Sequence, residues 1–218
     1  MHQGTSGEKI CVVPNQPVIE ELESPKNDPD HDYITLIYSG GINYHRGLQV
    51  VIEGLAEIIK TDQNVRLWII GKGSYLPNLI SQVAQLNLKP YVKFWGWKSF
   101  VEMMELQAKA DITLIPHLRS VQSDNSSPNK LYDYMYQKKP ILASNCSSLV
   151  RLLKETGAGL TYSSTDTVDF VRTFQQMKEA GTRAEMGNNG YNAVLKGLNW
   201  GNSERALITA YRKEFKSN

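Results

Sequence analysis

The chain has 218 residues, with 24 basic and 22 acidic side chains and a formal charge of +2. That length can bury a sizeable core, and the near balance of charge argues against nucleic acid or an anionic membrane surface as a partner. The two cysteines, Cys11 and Cys146, and the four scattered histidines lack metal-ligand spacing, and no apolar run approaches the ~20 residues of a membrane span, so a reduced, cytoplasmic, metal-free protein is expected.

In chain order, Lys9 to Val13 reads as a short apolar strand and Pro14 to Pro17 as a turn, while Glu20 to Asp32 is acidic and proline-punctuated. Residues 1–32 are therefore expected to be a linker between domains or the remnant of a missing one. From Tyr33 onward, apolar strands alternate with amphipathic helices. Strands are expected at Tyr33 to Tyr38, Val65 to Ile70, Tyr91 to Phe94, Ile112 to Pro116, Ile141 to Ser144 and Leu160 to Tyr162, and the remainder after that is helical. The first strands are continuously apolar, which marks a parallel sheet covered on both faces. The expected fold is one doubly wound α/β domain of about six strands over residues 33–218, with a helical C-terminus.

In such a sheet, ligands bind beyond the carboxyl ends of the strands, where the order reverses. Gly40 and Gly41 end the first strand and lead to Arg46, whose guanidinium suits a phosphate. The stretch Ser123 to Met135 reads as a polar loop entering a helix, with Ser127 as N-cap and Pro128 in the first helical position. Free amides at that helix start, Lys130, and the short donors Ser126, Ser127 and Asn129 together form a candidate phosphate site. Asp133, one turn deeper, is a candidate acceptor for ribose hydroxyls; the alternative is a capped helix with one Lys130–Asp133 surface pair. Trp97 is a candidate for stacking on a base or, alternatively, a residue of the sheet rim. Gly71-Lys72-Gly73 lacks the third glycine of a dinucleotide fingerprint, and Lys72 is expected to face water. No nucleophile has a visible base partner, so any chemistry rests on electrostatics.

The succession of Ile10 to Asn15, Ile37 to Gly41 with Arg46-Gly47, Leu67 to Gly73, Val92 to Gly96 and Ala110 to Pro116 resembles the C-terminal half of retaining GT-B glycosyltransferases, which include many bacterial cell-envelope sugar transferases. The stretch Asn125 to Pro140 resembles that family's two-glutamate motif, with Asn125 and Asp133 at the acidic positions. The resemblance implies a Rossmann-like half of a GT-B fold that binds a nucleotide-diphosphate-sugar donor, without metal or other cofactor. It implies that Asp133 binds the ribose, that Asn125 faces the donor sugar, and that Gly41 and Arg46 occupy the positions where the family carries two cations. Lys130 then replaces the missing cation, and with Arg46 stabilises the departing diphosphate. It further implies a missing N-terminal acceptor-binding domain, through which any contact with the inner membrane is made. A non-catalytic nucleotide-binding or interaction domain that kept the fold is the alternative.

Overall fold

The structure, a computed structural model, describes residues 10–19 and 32–215. A six-stranded parallel sheet is ordered β3-β2-β1-β4-β5-β6, formed by β1 (Ile34–Ser39), β2 (Val65–Ile70), β3 (Val92–Gly96), β4 (Ile112–Ile115), β5 (Ile141–Ser144) and β6 (Gly159–Tyr162). The chain builds outward from β1 to β3 and then returns to the other side of β1 with β4, so the order reverses between β1 and β4.

Strand β1 is central and buried, which accounts for its largely apolar sequence. Leu36 and Tyr38 turn to one face, under α1 (Leu48–Ile58), α2 (Leu76–Gln85) and α7 (Thr167–Gln176), while Ile37 turns to the other with Trp68 and Ile70, under α3 (Phe100–Lys109). On the second half of the sheet, Ile115, Ile141 and Ala143 pack with α5 (Lys130–Tyr136), α6 (Ser147–Thr156) and α8 (Ala180–Lys196). Full burial of each such aliphatic side chain contributes about 2 kcal/mol. Among the described residues, no helix is long and apolar enough to cross a membrane.

Three expectations are corrected. Residues 10–13 form no strand: Ile10 and Val12 are exposed, and the segment behind them is held as coil, with Ser203 Oγ donating to Pro14 O (3.1 Å) and the Trp200 amide to Pro17 O (2.8 Å) at the start of the last helix, α9 (Trp200–Phe215). Lys9 and the acidic stretch from 20 to 31 lie outside the described residues. The expected polar loop after β4 contains a four-residue helix, α4 (Val121–Asp124), started by reciprocal Ser120 and Ser123 capping bonds. Finally, α5 begins at Lys130 with Asn129 as its N-cap, because the Leu131 amide already donates to Pro128 O (2.9 Å) and the Tyr132 amide to Asn129 O (3.0 Å). Ser127 is not the cap, and the first turn uses these amides internally.

Beyond the strand ends the backbone ladder continues. The Gly40 amide donates to Ile70 O (2.9 Å), the Ile42 amide to Lys72 O (2.9 Å) and the Gly71 amide to Gly96 O (2.8 Å). Gly71 has φ of +137°, and a Cβ on it would lie 1.9 Å from Gly40 O. The Gly71-Lys72-Gly73 turn therefore serves backbone packing against the loop after β1. Gly71→Ala is expected to destabilise the fold by on the order of 2 kcal/mol or more, and Lys72→Ala, at an exposed position, by less than about 0.5 kcal/mol, as read from urea unfolding.

Candidate functional site

A cleft of about 440 Å³ opens at the carboxyl ends of β1 and β4. Its first wall is the loop after β1, with Gly40, Gly41, His45 and Arg46. Tyr38, buried in the core, sends its hydroxyl up to donate to Gly41 O (2.7 Å), which sets the loop's height above the sheet. Arg46 ends a short 3-10 turn, Tyr44–Arg46, which Gly47 closes in the left-handed region at φ 71°. A Cβ on Gly47 would meet Pro116 O at 1.8 Å, so this glycine lets the turn press against the end of β4, where the Leu118 amide donates to His45 O (2.9 Å). The two loops are thereby joined, and Arg46 Nη1 reaches His117 Nε2 at 2.9 Å.

The second wall follows β4 and includes His117, Ser120, Ser123, Ser126, Asn129 and Lys130. Lys130 reaches back across the cleft floor: its Nζ donates to Ser39 O (2.5 Å) and stands 4.1 Å from the centre of the Tyr38 ring. Ser39 is itself held from below. Its Oγ accepts from Gln107 Nε2 (2.8 Å) and lies 3.0 Å from the Tyr134 hydroxyl, and Gln137 Nε2 donates to Gln107 Oε1 (2.5 Å). This buried network leaves little freedom at the Ser39 carbonyl and so fixes the ammonium above it.

Among the described residues, no acidic side chain lines the cleft, and the nearest one that acts on it is Asp133, behind Lys130. Burial first, and then the nearby Arg46 guanidinium, pull the Lys130 ammonium down to about 7, against a smaller opposing pull from Asp133. Burial raises the Asp133 carboxyl to about 6, with Lys130 pulling the other way. His117, pressed by burial and then by Lys130, Arg46 and His45, falls to about 3 and stays neutral near pH 7. It therefore cannot carry protons there. Two cationic side chains and several hydroxyls in one half-open cleft are equipped to hold an anion with several oxygens. Among the described residues, no group of three or more His, Cys, Asp or Glu side chains is placed to hold a metal ion.

Of the candidates read from the sequence, Gly40, Gly41, Arg46, Ser126, Asn129 and Lys130 line this cleft together. Asp133 is half-buried on the next turn of α5, outside the lining. Ser127 is half-buried and also outside it. Asn125 is exposed with its amide donating to Val121 O (2.8 Å), directed at α4 rather than into the cleft. Trp97 lies past the end of the edge strand β3, two strands from β1, and is 67% exposed. Asp124, beside Asn125, is occupied by Arg119 and by the Ser147 amide (2.8 Å), which pins α4 to α6. His117 was missed. Its signal was its position directly after a strand that ends in Pro116, at a carboxyl end where ligands are expected.

A family model described as "Glycosyl transferases group 1" matches residues 19–193. The amylovoran biosynthesis glycosyltransferase AmsK of Erwinia amylovora is 26% identical over 157 residues, which is 72% of this chain and 39% of that protein. Sucrose-phosphate synthase from Thermosynechococcus elongatus superposes with a TM-score of 0.80 at 16% identity, over 94% of this chain and 53% of that one. The Anabaena protein HepE, crystallised with UDP and glucose, superposes with a TM-score of 0.70 at 14% identity, over 83% of this chain and 48% of that one. The chain thus spans about half, or less, of the length of these relatives.

The raised Asp133 carboxyl has a consequence for stability. The folded state holds this proton more tightly than the unfolded state, so stability is lost as pH rises from about 4 through about 6. Asp133→Asn removes that loss. The variant is expected to be more stable than the parent by on the order of 2 kcal/mol at pH 7 and to show no such gain near pH 3.5, as measured by urea unfolding at the two pH values.

Proposed function

The chain belongs to the glycosyl transferases group 1 family, and on that premise we propose that residues 33–218 bind the nucleoside-diphosphate sugar donor of a retaining transferase in cell-surface polysaccharide synthesis. The observation that carries this reading is the meeting of Arg46, from the loop after β1, and Lys130, from the start of α5, over one cleft where the strand order reverses. A diphosphate supplies the negative charge that this cleft lacks. During transfer the bond to the diphosphate breaks, charge builds on the leaving oxygens, and fixed cations aimed at that charge lower the barrier without reorganising. The side chains of this cleft meet the diphosphate without a metal. Asp133, on the turn after Lys130, is assigned the ribose hydroxyls. Uridine is the first base to test, because the Anabaena protein with the same fold was crystallised with UDP. The acceptor is assigned to a separate domain, in line with the doubled length of the relatives.

A second reading, a nucleotide-binding or interaction domain without turnover, is favoured by two observations. Asn125 is bonded to Val121 O outside the cleft, and Gly41 stands where the resemblance to the family places a cation. Single-turnover release of nucleoside diphosphate from a labelled donor, by a protein carrying an acceptor domain, separates the two. Absence of acceptor-dependent release with intact donor binding selects the second.

Lys130→Ala is expected to weaken UDP binding by on the order of 2 kcal/mol in calorimetry while leaving uridine binding nearly unchanged. The bound diphosphate favours the charged ammonium, so affinity in the parent chain falls by up to about tenfold per pH unit above the free value near 7. That slope disappears in Lys130→Ala. In Asp133→Asn, UDP should lose more affinity than 2′-deoxy-UDP; equal losses would remove Asp133 from the ribose site.

A further inference from the structure

We infer that His117 is the positioning residue of Arg46: a neutral imidazole with its proton on Nδ1, it accepts the guanidinium's hydrogen bond at Nε2 and sets the direction in which Arg46 enters the cleft. The inference rests on the diphosphate reading above and adds to it a residue that fixes one of the two cations.

A guanidinium has donors only, so the 2.9 Å contact between Arg46 Nη1 and His117 Nε2 requires that Nε2 be unprotonated. An imidazolium would set donor against donor and add a charge beside Arg46, Lys130 and His45. The imidazole is well fixed. His117 is 6% exposed, its carbonyl accepts from Ser144 Oγ (2.5 Å) on β5, and the next residue's amide is bonded to His45 O on the arginine's own turn. The Nε of Arg46 is buried with no hydrogen-bond partner among the described residues, so the orientation of the guanidinium rests on the Nη1 contact to His117.

The choice of partner has an electrostatic logic. A carboxylate would orient Arg46 equally well, but it would cancel the charge that an anionic ligand needs. A neutral acceptor fixes the direction and leaves the charge in place.

The test uses the 218-residue chain and two probes, inorganic pyrophosphate and UDP, in calorimetry. Arg46→Ala is expected to weaken pyrophosphate by about tenfold or more, and His117→Phe by a similar factor. The double variant should bind within about twofold of Arg46→Ala alone, because His117 acts only through Arg46. His117→Gln, whose side-chain oxygen can reach the position of Nε2, should stay within about threefold of the parent, whereas His117→Asn, which is shorter, should resemble His117→Phe. Long-range proton–nitrogen NMR of the parent chain, with His117→Gln assigning the signal, should show the Nδ1–H tautomer from pH 6 to 8. An Nε2–H tautomer or an imidazolium in that range overturns the inference, and this measurement decides it even where His117→Phe fails to fold. Full additivity of Arg46→Ala and His117→Phe overturns it as well, with the diphosphate reading intact. Parent-like binding of pyrophosphate by Arg46→Ala, or no binding by the parent, defeats the diphosphate reading and the inference with it.

Discussion

The cleft is governed by the cost of holding an ammonium and a guanidinium close together where water is partly excluded. Such charges repel, and burial opposes each of them. The fold compensates chiefly with dipoles, with a smaller pull from the Asp133 carboxyl: the Ser39 carbonyl and the Tyr38 ring face the ammonium, and a neutral imidazole faces the guanidinium. Around this centre the rest follows. The Gln137–Gln107–Ser39 chain with the Tyr134 hydroxyl stiffens the carbonyl, and the glycines after β1 and β2 let the loops lie at the height where the two side chains meet.

Much of the fold was readable because strong, regular signals carry it. Apolar runs alternating with helical periodicity, the first three closed by glycine turns, place all six strands, and the carboxyl-end rule directs attention to Arg46 and Lys130. What failed was local and weakly determined. Ser127 and Pro128 satisfy the preferences for N-cap and first helical position, yet a tight turn closed on Pro128 O and Asn129 O shifts the helix start by two residues. Residues 10–13 have strand composition but pair with no strand among the described residues, and pairing is a tertiary fact. The helix Val121–Asp124 is held by a serine pair and by Asp124 contacts to Arg119 and Ser147, none of which periodicity reveals.

The candidate site divides along the same line. Residues whose candidacy follows from their own position in the chain, such as Gly40, Gly41, Arg46 and Lys130, are legible as neighbours of one cleft. His117 is not, because its role comes from a partner 71 positions away, and a lone histidine in a sequence carries no record of what it touches. Gly71 and Gly73 resemble an incomplete dinucleotide fingerprint in sequence, but their constraint is the backbone oxygens of a neighbouring loop. Asn125 shows the converse relation between spacing and contact. Spacing matched it to a motif, while the short helix α4 turns its amide onto Val121.

Strands β1 and β2 register over six residue pairs, whereas β1 and β4 register over only two, Leu36 with Ile112 and Ile37 with Thr113. That short ladder is the seam between the two halves of the sheet, and the cleft opens directly above it. Arg46 belongs to the half that holds β1 to β3 and Lys130 to the half that holds β4 to β6. Under the reading proposed above, an anion gripped by both side chains is a cross-tie over this short ladder. On that reading, occupancy of the proposed site acts mechanically as well as chemically, resisting a shear of one half against the other and sharing the ligand's binding energy with the whole domain.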